Sequence, residues 1–111
     1  LDIDQLLQQS QAVTWALITA YNPYSQLLDS QENHIRNQTL LDVLKPMGKP
    51  IRHAVGWDKS DQWPPEESLF IIGITRADAI AIGQQFSQNA ILYGELGQAI
   101  ELLWLVDNHL K

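Results

Sequence analysis

The chain has 111 residues, 45% of them hydrophobic, with thirteen Asp and Glu against seven Lys and Arg, a formal net charge of -6 and no cysteine. At about one domain per 100 to 200 residues this is one compact domain, residues 1–111, whose missing cysteines exclude disulfides, thiolate nucleophiles and thiolate metal sites and fit a cytoplasmic setting. The acidic balance with scattered cations argues against a nucleic acid partner, and apolar runs far below the roughly 20 residues of a span argue against a membrane one.

In chain order, Ile3, Leu6 and Leu7 fall on one face of a short leading helix. No signal-peptide pattern opens the chain. Val13 to Ala20, near-continuously apolar and rich in β-branched and aromatic residues, reads as a buried strand. Asn22-Pro23-Tyr24-Ser25 ends it. Asp29-Ser30-Gln31-Glu32 has the form of a capping box, and Leu40, Leu41, Leu44 and Met47 then recur at helical spacing until Pro46, Gly48 and Pro50 stop the helix. Ile51 to Trp57 reads as a second strand, and after a polar loop with Pro64 and Pro65, Leu69 to Ile74 reads as a third. Thr75 and Asp78 cap a second main helix, Arg76 to Phe86, in which Gly83 allows close approach to a sheet. Ala90 to Tyr93 and Ala99 to Val106 form two more strands around the turn Gly94-Glu95-Leu96-Gly97.

The order predicts an α+β fold: a single antiparallel sheet with two helices on one face, ferredoxin-like β-α-β-β-α-β plus an extra C-terminal strand. In that topology Asn22 to Ser25, Trp63 to Ser68 and Ser87 to Asn89 gather at one end of the sheet. Asn33 and Asn37 lie on the inward stripe of the first main helix near the same end.

Three segments taken together, Asn22-Pro23-x-Ser25, Trp63-Pro64-x-Glu66-x-Ser68 and Phe86-x-Gln88-x-Ala90-Ile91, resemble a bacterial family catalogued as domain of unknown function 3293. The resemblance runs from about Trp15 to Leu103 by order and spacing of motifs. It implies a small bacterial domain and no particular activity. The family pattern usually carries glycine where Ser87 stands.

Each polar segment has a plain and a functional reading. Asn22 to Ser25 is either a turn, since Pro fixes φ and Asn and Ser bond nearby backbone, or a pair of ligand donors. Glu66 and Glu67 alternate across a strand, so one faces a cleft, and Glu66 is the choice, as a partner for a ligand amine or as a general base with Trp63 as a stacking wall. Gln88 and Asn89 either end a helix or read a planar polar group. The candidate ligand-binding set is Asn22, Ser25, Asn33, Asn37, Trp63, Glu66, Ser68, Gln88 and Asn89. Catalysis would use Glu66 with Ser25 or Ser68, but no histidine in these segments could activate a serine. His34, His53 and His109 lack metal-ligand spacing, so no metal is expected, and no cofactor is expected in the absence of a phosphate loop or dinucleotide motif. The favoured function is binding of a small polar ligand. The alternatives are a small hydrolase-like enzyme using Glu66, or a protein-interaction or homodimerisation domain using Ala99 to Val106, whose Leu102, Leu103, Trp104 and Leu105 are too apolar to stay bare unless a second copy or the leading helix covers them.

Overall fold

The computed structural model describes residues 3–56 and 65–106. Helix α1 (Ile3–Gln9) leads into β1 (Thr14–Ile18), then α2 (Ser30–Leu44), β2 (Ile51–Gly56), β3 (Glu66–Ile72), α3 (Arg76–Gln85), β4 (Ala90–Glu95) and β5 (Glu101–Trp104). Single 3-10 turns stand at Pro23–Ser25 and Lys45–Met47. Local chemistry sets the helix starts. The Asp29 carboxylate accepts from the Glu32 N–H at 2.8 Å, and the Asp78 N–H donates to the Thr75 hydroxyl at 3.1 Å, so each helix has one of its orphan first-turn donors satisfied.

The strands form one open sheet in the order β2-β3-β1-β4-β5, each neighbour antiparallel. Alternation along the strands divides their side chains between two apolar layers. On one face Ala16, Ile18, Leu69, Ile71, Ile91 and Tyr93 pack with Leu40 and Leu44 of α2 and Ala79, Ile82 and Phe86 of α3. Gly83 brings α3 close, because a Cβ there would collide with Leu105 and Ile91. The fold is thus α+β, with the two longer helices on one face.

The opposite face differs from expectation. Trp15, Ile72 and Leu7 are buried together there, with Leu17, Phe70 and Leu92 against them, so α1 lies over the centre of that face. Trp15 lies across Gly94, its partner on β4, where any side chain would strike the indole, and it meets the Phe70 ring at 5.1 Å. A sheet apolar on both faces needs this third helix. Because α1 is spent on Trp15, it does not cover β5: Trp104 is 59% exposed and Leu102 53%, and the expectation that the leading helix buries Trp104 is corrected. β5 is also shorter than Ala99 to Val106, and β3 runs Glu66 to Ile72 rather than Leu69 to Ile74. The earlier start of β3 matters most, since it puts Glu66 on the sheet opposite Gly56.

Candidate functional site

The chain leaves β1 at Ile18 and reaches Asn22 before Pro23. Proline disfavours right-handed backbone in the residue before it, and Asn is among the few residues that tolerate the left-handed region. Asn22 is there, at φ 48°, and Tyr24 and Ser25 follow at φ 50° and 62°. Such a loop persists only when its surroundings hold it. The Asn22 backbone N–H donates to Asn33 Oδ1 at 2.8 Å, and Asn22 Oδ1 accepts from Asn33 Nδ2 and from the Leu28 N–H, both at 2.9 Å. Its remaining amide nitrogen donates to Glu66 Oε2 at 2.8 Å. At Asn22 alone, left-handed backbone costs at most about 1–2 kcal/mol. Four hydrogen bonds at about 0.5–1.5 kcal/mol each, more for the one to a carboxylate, outweigh that.

Two further tethers close this end of the sheet. Tyr24 donates its N–H to the Ser87 carbonyl at 2.7 Å, and Asn89 Nδ2 donates to Ser25 Oγ at 2.8 Å. Arg36, on the same inward stripe as Asn33 and Asn37, donates from Nε to the Ala20 carbonyl and from a terminal nitrogen to the Phe86 carbonyl, each at 2.6 Å. It therefore places a cation at the C-terminal end of α3, where the helix dipole favours one. Gln88 Nε2 also donates to Phe86 O, at 3.2 Å, and to Tyr21 O, at 3.1 Å. Sequence reasoning missed Arg36, although its place three residues after Asn33 was the available signal.

Between these tethers lies a cleft of about 380 Å³, a size suited to a small molecule. Asn22, Ser25, Glu66, Gln88 and Asn89 line it, together with Thr19, Tyr21, Ala90 and Trp104. The other candidates stand elsewhere. Asn33 supports Asn22 from behind and borders a neighbouring cavity of about 230 Å³ with Leu27, Leu28 and Pro65. Asn37 Oδ1 accepts the Ala20 N–H at 3.2 Å, and its side chain borders a small cavity with His34, His53 and Glu67. Both inward asparagines therefore hold the strand end rather than line the cleft. Ser68 is buried opposite Ala54, one alternation further along β3 than Glu66, and does not line the cleft. Trp63 and His109 lie outside the described residues. Two described aromatic residues border the cleft, Tyr21 and Trp104, and the sequence suggested Trp104 only as part of an apolar edge.

Glu66 and Glu67 leave the sheet on opposite sides. Burial first, then the Glu67 charge, its hydrogen bond and the Glu66 charge hold the Tyr21 phenol above its ordinary value near 10.0. Tyr21 therefore stays protonated at neutral pH and donates to Glu67. The Ser25 hydroxyl is met by an amide, Asn89, not by a base. Among the described residues no group of three or more His, Cys, Asp or Glu could hold a metal ion, and no helix is long and apolar enough to cross a membrane.

A small α+β domain with a polar cleft at one end of an antiparallel sheet is the class these features define. The chain belongs to the family described as Protein of unknown function (DUF3293), which matches it over residues 18–91. That span carries Asn22, Glu66, Gln88 and Asn89, while α1 and Trp104 fall outside it. No curated protein matches the chain.

Proposed function

We propose that this chain is a binding module for a small polar ligand, held in the cleft that Asn22, Glu66 and Gln88 line. One observation carries the reading: three polar side chains from three distant segments border one cavity of about 380 Å³, each fixed by a hydrogen bond to another part of the chain. Fixed polar groups of this kind lower the ordering cost of binding. A hydrolytic reading is less favoured, because no described base meets Ser25. The strand order β2-β3-β1-β4, antiparallel throughout, supports a ferredoxin-like arrangement, with β5 added beside β4.

A thermal-shift screen of metabolites tests the function. A ligand at 100 times its dissociation constant should add about 2.7 kcal/mol, and Glu66→Gln or Trp104→Leu should remove that gain. Equal stabilisation of both variants by every hit would place binding elsewhere and end the proposal.

A further inference from the structure

Two walls of the cleft come from segments that lie outside the paired strands. The β1–β4 ladder ends with Leu17 opposite Leu92, whereas the lining residues Tyr21 and Asn22 follow β1 and the lining residues Gln88 and Asn89 precede β4. One backbone bond, from the Tyr24 N–H to the Ser87 carbonyl, joins the two segments there. Side chains make the rest of the span.

Gln88 is one of them and is itself part of a wall, donating from Nε2 to Tyr21 O and Phe86 O. Arg36 is the other and does not line the cleft. It reaches the same two segments from α2, with Nε on Ala20 O and a terminal nitrogen on Phe86 O, each at 2.6 Å. These acceptors stand one residue before Tyr21 and two before Gln88. The guanidinium is a rigid planar fork, so two bonds from it fix the spacing of two carbonyls, which an ammonium on a flexible stem does not. Its anchor is firm as well, since Leu40 and Leu44 of the same helix are buried against the sheet. Ala20 has no surface open to water, so its carbonyl depends on a donor from within the chain.

From this arrangement we infer that Arg36 is the positioning residue of the cleft: one guanidinium bridges the exits of β1 and α3 and sets the distance between the walls that carry Tyr21 and Gln88. The inference rests on the cleft reading for its purpose. The bridge itself is tested without a ligand, so a failed metabolite screen and a failed bridge are separate results.

The full chain, isotope-labelled, is compared with Arg36→Lys and Arg36→Ala by NMR and amide hydrogen exchange. In both variants the backbone amides of Asn22, Tyr24 and Gln88 should exchange about tenfold faster or more, relative to amides of the β2–β3 ladder, and the Gln88 side-chain signals should move. Arg36→Lys keeps the charge and most of the stem, so it decides the exchange comparison even where Arg36→Ala does not fold. In a folded Arg36→Ala, millimolar guanidinium chloride, far below denaturing levels, should slow this exchange and return the Gln88 signals toward their original positions, and ammonium chloride should not. Unchanged exchange in Arg36→Lys would mean that the charge suffices without the fork, and a uniform rise across the sheet would make Arg36 a general stabiliser. Either result overturns the inference and leaves the binding reading standing, as does equal rescue by ammonium.

Discussion

Ser87 stands at φ 59°, a left-handed conformation that only glycine adopts without steric cost. Its carbonyl holds the Tyr24 N–H, and its hydroxyl bonds to no described group. The backbone here is what the loop needs, and glycine would adopt it without a Cβ penalty. Relief of the left-handed strain, about 1–2 kcal/mol, exceeds the extra entropy that glycine gives the unfolded chain. Ser87→Gly should therefore raise stability by about 0.5–1 kcal/mol, read as a higher denaturant midpoint at unchanged slope. A lower midpoint would mean that the serine side chain contributes more than its backbone costs. Tyr21 gives a second test at this scale. Because its folded value is raised, its contribution to stability is present below the ordinary value near 10.0 and is lost as pH rises through the folded one. Glu67→Gln removes the charge and leaves only a weaker neutral acceptor for the phenol, so in an ultraviolet alkaline titration Tyr21 should ionise earlier. An unchanged titration would show that Glu67 does not raise it, leaving burial and the Glu66 charge.

The elements were largely legible in the sequence because their signals are local. The capping pairs Asp29 with Glu32 and Thr75 with Asp78 act within four residues, and both helices start where those pairs stand. Leu40 and Leu44 repeat at helical spacing and are both buried against the sheet. Leu44 is only 1% exposed, so Leu44→Ala should cost about 2–5 kcal/mol in chemical denaturation. A loss below about 1 kcal/mol would mean that the site collapses around the smaller side chain. Placement was less legible than type. The apolar stripe of α1 fits either β5 or the open face, and only the joint burial of Trp15 and Ile72 with Leu7 settles which. Asn33 and Asn37 are inward as their spacing predicts, but spacing does not say whether an inward amide meets a ligand or the chain's own backbone.

At the scale of the whole molecule, the gathering of Asn22, Glu66 and Gln88 follows from the direction of each strand, which the order of elements already fixes. The role of Trp104 does not. It depends on β5 pairing outside β4, with Trp104 opposite Ala90 beside the cleft, and an apolar run alone cannot reveal that register. The same indole cannot both wall an open cleft and be buried in a dimer. With Trp104 as the cleft wall, light scattering should give the mass of one chain, and Trp104→Leu should leave that mass unchanged. A dimer that this substitution dissociates would assign Trp104 to a self-interface instead.

The bond from Asn22 to Glu66 spans 44 positions, and the one from Gln88 to Tyr21 spans 67. No peptide cut from the sequence could carry the cleft, since its walls meet only after the chain has closed these long loops. Any guest would thus read out completed folding. Opening of the cleft to denaturant and loss of the central sheet should then occur as one event, and slowed hydrogen exchange on ligand binding should extend to amides of β1 and β3, far from the bound molecule.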